Sequence, residues 1–196
     1  MDTPIAPAFT SLAYALILLR EAGYPCVFYG DMFGMSSPHA SSPTCGGKLA
    51  DLILARRLYA YGEQADYFSS PDCVGWVRKG GAESEGHKAV GMAVVMSWVG
   101  DNLEPTSPQS PSSRPGWMEK LYERFGLVQA SVNQPRRKMN VGREHAGEVW
   151  TDILGHSKTR VTIAHNGYGI FLCTRNTVSI YVYERAEGRN RFSVRF

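Results

Sequence analysis

The sequence predicts an α/β segment followed by an all-β domain, and three observations carry that prediction. Two helix-forming stretches flank one short apolar run near the start, seven short β-rich runs recur from residue 66 onward, and a Pro/Ser-rich tract at 98–137 interrupts them. Helical spacing, strand alternation and turn punctuation are the signals used.

Residues 9–22 (FTSLAYALILLREA) carry a helix pattern in which Thr10 or Ser11 can cap and Glu21-Ala22-Gly23 stops the helix. Gly23-Tyr24-Pro25 is a turn. Cys26-Val27-Phe28-Tyr29 is a continuous apolar run of the kind a strand buried on both faces requires. A Ser/Pro/Gly loop (36–47) follows. A second helix is predicted from Lys48 to Tyr61, with Leu49, Leu52, Ile53, Arg56 and Tyr59-Ala60 at helical spacing. Helix, strand, loop, helix is one strand of a βα array with its neighbours and not a complete fold.

The β-rich runs are Val74–Arg78, Ala89–Met96, Lys138–Val141, Val149–Asp152, Arg160–Ile163, Gly169–Leu172 and Thr177–Tyr183. In the last, Val178, Ile180 and Val182 alternate with Ser179, Tyr181 and Tyr183, the period of a half-buried strand. Seven such runs predict a small antiparallel sandwich. A connection as long as 98–137 does not belong in a strand meander. It opens Pro/Ser-rich, offers a weak helix around Trp117–Phe125, and is read as a disordered surface insertion or as sequence foreign to the fold, such as a retained intron.

Composition excludes several classes. With 43% hydrophobic and 11% aromatic residues the chain can fill a core, and a net charge of +3 with scattered Lys and Arg lacks the basic stripe of a nucleic-acid protein. Cys26, Cys45, Cys73 and Cys173 form no C-x-x-C pair, so neither a zinc nor a redox motif follows. Cys26 and Cys173 sit in apolar runs and read as core residues. Leu12–Leu19 is too short to span a membrane and carries no leader signature, so no membrane association is expected and a reducing, cytoplasmic setting is.

The strings AYALILLREAGYPCVFYGDMFG, CGGKLADLILARRLYAYGEQADYF and VGREHAGEVWTDILG resemble α-amylases of glycoside hydrolase family 13 over about residues 9–97 and 138–192. The subfamily most similar is the intracellular one shared by bacteria and filamentous fungi, the fungal side fitting best. The resemblance implies an incomplete (β/α)8 barrel end at 1–65 (seventh helix, eighth strand, eighth helix). It further implies a C-terminal β-sandwich at 66–97 and 138–196, with 98–137 as the insertion.

Such enzymes cleave α-1,4-glucosidic bonds with two Asp and one Glu on barrel strands that the resemblance places upstream of residue 9. The chemistry needs two close carboxyl groups, one ionised and one protonated. The resemblance therefore implies no catalytic residue within this chain, which leaves a non-catalytic glucan-binding or amylase-regulating remnant as the alternative.

It also implies lesser sites. Tyr29 and Asp31 would stand on the wall of the substrate cleft, Asp31 having a plainer reading as a carboxylate satisfied by turn amides. Calcium serves the family, and Asp72 survives at one ligand position, but one carboxylate falls far short of six oxygens and the metal is not expected to be retained. Tyr168 and Trp150 are candidate glucan-stacking aromatics, beside Trp76 and Tyr181, for which core packing is the default. Glu144, His145 and Glu148 form an acid–base grouping on the sandwich, remote from any cleft. Partners are expected to be an α-glucan such as starch or maltodextrin, a full-length amylase, or a second copy of the chain. A lone barrel strand cannot cover the apolar patch of Leu12, Leu16, Leu19, Leu49, Leu52 and Ile53, so residues 1–62 are expected to be poorly packed alone, docked on the sandwich or completed by oligomerisation.

Overall fold

In this computed structural model, residues 5–70, 73–81, 90–98 and 134–192 are described. Three helices, α1 (Thr10–Leu19), α2 (Tyr29–Phe33) and α3 (Leu49–Tyr59), precede eight strands. These are β1 (Gln64–Tyr67), β2 (Val74–Arg78), β3 (Met92–Met96), β4 (Arg136–Asn140), β5 (Val149–Asp152), β6 (Arg160–Thr162), β7 (Tyr168–Leu172) and β8 (Val178–Tyr183). All seven expected β runs form strands. An eighth, β1, was hidden because QADY is polar and has no alternation; it is an edge strand, pairing only β2.

α1 is built from Leu and Ala, strong helix formers, and buries Leu12, Ala15 and Leu19 along one face. The expected helix over 9–22 ends three residues early. Arg20 turns extended because its guanidinium reaches the Asp66 carboxylate at 2.8 Å and lies 4.9 Å over the Phe68 ring. Glu21 N–H then donates to Gln64 Oε1 at 2.8 Å. α3 buries Leu49, Leu52, Ala55 and Tyr59, and its last turn carries Arg56 and Arg57 against the helix dipole. The Arg56 guanidinium donates to the Leu18 carbonyl, tying the end of α1 to α3.

The strand expected at Cys26–Tyr29 does not form. Among the described residues no neighbour pairs with it, and an unpaired strand has no reason to persist. Tyr29 instead opens α2, and Cys26, expected in a core, is exposed.

The sandwich is asymmetric. A six-stranded antiparallel sheet of order β1-β2-β3-β8-β5-β6 faces a two-stranded β4-β7 ribbon. Trp76, Met92, Val94, Met96, Val178, Ile180 and Val182 share a core with α1 and α3 on one face. Val77, Ala93, Val95, Trp150 and Tyr181 pack with Met139 and Phe171 of the ribbon on the other. Alternation predicts a half-buried β8; between β3 and β5 it is instead buried on both faces, with the Tyr181 hydroxyl donating to the Leu172 carbonyl at 2.7 Å.

The helices therefore dock on the sheet. The apolar patch expected on the barrel end is covered: Leu12, Leu19, Leu49 and Leu52 are all at most 2% exposed, and Ile53 alone of the six stays at 37%. Two glycines set this geometry. A Cβ on Gly75 would stand 2.7 Å from the Val94 carbonyl and 2.8 Å from Met139 Sδ, so the ribbon could not close on β2. Gly62, at φ +75°, lets the chain cross Gly80, whose carbonyl oxygen would lie 1.7 Å from a Cβ.

Candidate functional site

The two expected cleft residues lie on one exposed shelf. α2 presents Tyr29 and Phe33 side by side, ring centroids 4.9 Å apart and 71% and 63% exposed. With Met35 and the 41–43 loop they border an open groove of about 650 Å³. The loop is held by reciprocal Met35 and Ser41 backbone bonds of 2.9 and 3.1 Å.

Asp31 faces the protein side of this shelf. Its Oδ2 accepts from the Tyr14 hydroxyl at 2.5 Å, and its backbone carbonyl accepts from Thr44 N–H at 2.9 Å and Thr44 Oγ1 at 3.3 Å. Tyr14 in turn accepts from Phe28 N–H at 3.3 Å. Burial, and then the bond to Asp31, raise the Tyr14 phenol above its ordinary pKa, which keeps it a donor. Asp31 is thus a clamp that fixes α2 to α1, and none of these partners is a second carboxyl group. Removing the Tyr14 hydroxyl by Tyr14→Phe is expected to cost about 1–2 kcal/mol, read as a lower urea midpoint with unchanged slope. An unchanged midpoint would mean that the clamp holds nothing.

The sandwich candidates separate cleanly. Trp150, proposed from sequence as a stacking aromatic, is fully buried, between His145 at 5.2 Å and Phe171 at 6.2 Å, and offers no face to a sugar. Trp76 and Tyr181 are equally buried. The strand period puts all three rings inward, which is the reading sequence patterning favoured.

Tyr168 differs. It is half buried at the start of β7, with Lys138 Nζ 4.9 Å over its ring, beside a groove of about 360 Å³.

Of the acid–base grouping, His145 Nδ1 and Trp150 Nε1 both meet Glu148 Oε2 at 2.9 Å. Glu144 is exposed and folds back over Gly142. The Glu148 carboxylate therefore anchors a core tryptophan and its neighbouring imidazole.

Asp72 lies outside the described residues, as does the weak helix at 117–125. Among the described residues no three His, Cys, Asp or Glu side chains gather into a group that could hold a metal ion.

Sequence reasoning passed over Asp152. This fully buried carboxylate accepts from Leu154 N–H at 3.0 Å, Ser157 N–H at 2.9 Å and Ile180 N–H at 2.9 Å. A charged residue ending an apolar strand was the available signal.

A mostly antiparallel β-sandwich with helices docked on one face is consistent with the C-terminal β-sandwich domain of barrel-type glycoside hydrolases. The crystal structure of γ-CGTase from alkalophilic Bacillus clarkii superposes with a TM-score of 0.50 at 15% identity, covering 94% of this chain and 24% of that one. No known protein-family profile matches the chain. Sequence relatives are specific, however. The chain is 35% identical to an α-amylase of Geobacillus stearothermophilus over 91% of its own length and 26% of that protein. It is 34% identical to an α-amylase of Bacillus licheniformis over 93% and 29%. It is 32% identical to the cytoplasmic α-amylase of Escherichia coli over 94% and 31%. The chain belongs to the α-amylases of glycoside hydrolase family 13 and corresponds to their C-terminal part. It spans less than a third of the length of these relatives.

Proposed function

We propose that this chain supplies the barrel-closing end and C-terminal sandwich of an α-amylase acting on α-1,4-linked glucans, and that these residues alone do not catalyse hydrolysis. The observation that carries this reading is the near-complete coverage of the chain set against less than a third of each relative. The engagement of Asp31 by Tyr14 supports it, because a retaining or inverting mechanism needs a second carboxyl roughly 5–9.5 Å away. In this reading 1–65 is the barrel end, 66–97 with 138–196 the sandwich, and 98–137 an insertion. β1 moves the sheet's start to Gln64.

Calcium is not held by the chain alone in this reading. The setting is cytoplasmic, supported by four cysteines that form no disulfide and by the name of one relative; among the described residues no helix is long and apolar enough to cross a membrane. The subfamily is the intracellular one of bacterial and fungal type.

The test is a reducing-sugar assay on soluble starch with the purified chain, with and without calcium, and again beside a full-length α-amylase. No sugar release by the chain alone is expected, with or without the metal. Release that disappears in Asp31→Asn would overturn the reading. Altered activity of the added amylase would instead favour a regulatory remnant that pairs with the full enzyme.

A second reading, glucan contact without catalysis, is favoured by Tyr168, the one sandwich candidate with an accessible face. It predicts retention of the chain by starch or maltodextrin.

A further inference from the structure

The groove beside Tyr168 follows from where two sheets part. β6 is the edge of the six-stranded sheet, while β7 belongs to the ribbon with β4, and a tight turn at 164–167 joins them. The strand period turns Val161, Ile163, Gly169 and Phe171 inward. It turns Arg160, Thr162, Tyr168 and Ile170 outward, and Lys138 stands opposite Ile170 in the β4 register. The outward residues of three strands therefore line one groove of about 360 Å³, within the size range of small-ligand sites.

Its chemistry is uneven in sign. Lys138 and Arg160 both line it, and no Asp or Glu does. The acidic group nearest in contact is Glu184, which meets Arg160 at 2.5 Å from outside the lining. Among the described residues Lys138 enters no ion pair; its ammonium rests over the Tyr168 ring. An aromatic face flanked by hydroxyl and amide groups (Thr162, Asn166) suits a pyranose, and two cations at the same mouth suit an anion carried on it.

Building on the glucan reading above, we infer that this groove binds a glucan carrying a phosphate monoester, the sugar against Tyr168 and the phosphate between Lys138 and Arg160. The site lies on the sandwich, apart from the α2 shelf, and would hold the chain on charged regions of a polymeric substrate.

The test is affinity electrophoresis of the full chain in gels containing phosphorylated starch, or the same starch after phosphatase treatment, with inorganic phosphate as competitor. Retention about tenfold stronger on the phosphorylated polymer is expected, equivalent to one charge-assisted contact. Lys138→Gln should reduce it to the dephosphorylated level, Lys138→Arg should restore it, and Tyr168→Ala should weaken retention on both polymers. Circular dichroism checks that each variant is folded. Equal retention on both polymers would overturn this inference and leave the glucan reading intact. No retention on either would sink both. A preference that survives Lys138→Gln would place the anion site elsewhere and overturn the assignment. Inorganic phosphate binding as tightly as the phosphorylated starch would reduce the groove to an anion site and overturn its sugar specificity.

Discussion

Asp152→Ala is expected to destabilise the chain by about 3–5 kcal/mol, a large share of the roughly 5–15 kcal/mol that holds an ordinary domain folded. The side chain is fully buried and accepts three backbone amides, from Leu154, Ser157 and Ile180. Those donors lie on the segment after β5 and on the central strand β8, so one carboxyl group fastens the turn that leaves β5 to the middle of the sheet. Alanine leaves three buried N–H groups without an acceptor, each costing about 1–3 kcal/mol. Asp152→Asn keeps one carbonyl oxygen and turns an amide donor toward another donor, so its loss should be smaller but still large. Urea denaturation followed by circular dichroism measures both, and a cost below 1 kcal/mol for alanine would refute the role.

The same residue gives a pH signature. Burial, the largest influence, holds the Asp152 carboxyl above the ordinary carboxylate range, opposed by its three amide bonds and by His156. The folded state then binds this proton more tightly than the unfolded chain. Its contribution is present in full below the unfolded value and is lost as the pH rises through the folded one. The stability difference between the native chain and Asp152→Asn should therefore narrow as pH rises across that window.

Trp76→Ala is expected to cost about 3–5 kcal/mol, the usual range for a buried tryptophan. Trp76 is fully buried where the helices meet the sheet; its Nε1 donates to the Leu19 carbonyl at 3.3 Å, and the Phe68 ring stands edge-on at 6.3 Å. Its removal takes from α1 both a contact surface and the donor that satisfies its last carbonyl. The distinctive readout is limited proteolysis, with early cleavage near Arg20 while the sheet resists. Uniform cleavage across both layers would show instead that helices and sheet unfold together.

Much of this architecture was legible in the sequence, because burial and strand period speak the same language for Trp76, Trp150 and the runs that became β2, β5 and β8. Where local pattern and tertiary context part, the pattern misleads. CVFY has the composition of a buried parallel strand, yet without a neighbour to pair it Tyr29 enters a helix and Cys26 faces solvent. QADY has no strand signature and becomes one, because β2 supplies its hydrogen bonds. The site followed the same rule. Asp31 and Tyr168 could be singled out by residue type and turn position, whereas the partners that define them, Tyr14 and Lys138, lie 17 and 30 residues away in sequence. Only the fold brings those together.

The sheet order has a consequence for synthesis on the ribosome. Among the described residues β8 follows every other strand in sequence, yet it sits between β3 and β5 and joins them. Until it emerges, the β1–β3 meander and the β5–β6 hairpin share no backbone bonds, and the inner edges of both stand open to foreign strands. The two pieces therefore stay unsealed from the completion of β6 until β8 emerges. Codon usage and chaperone occupancy around residues 178–183 should weigh on its yield more than events at any earlier strand.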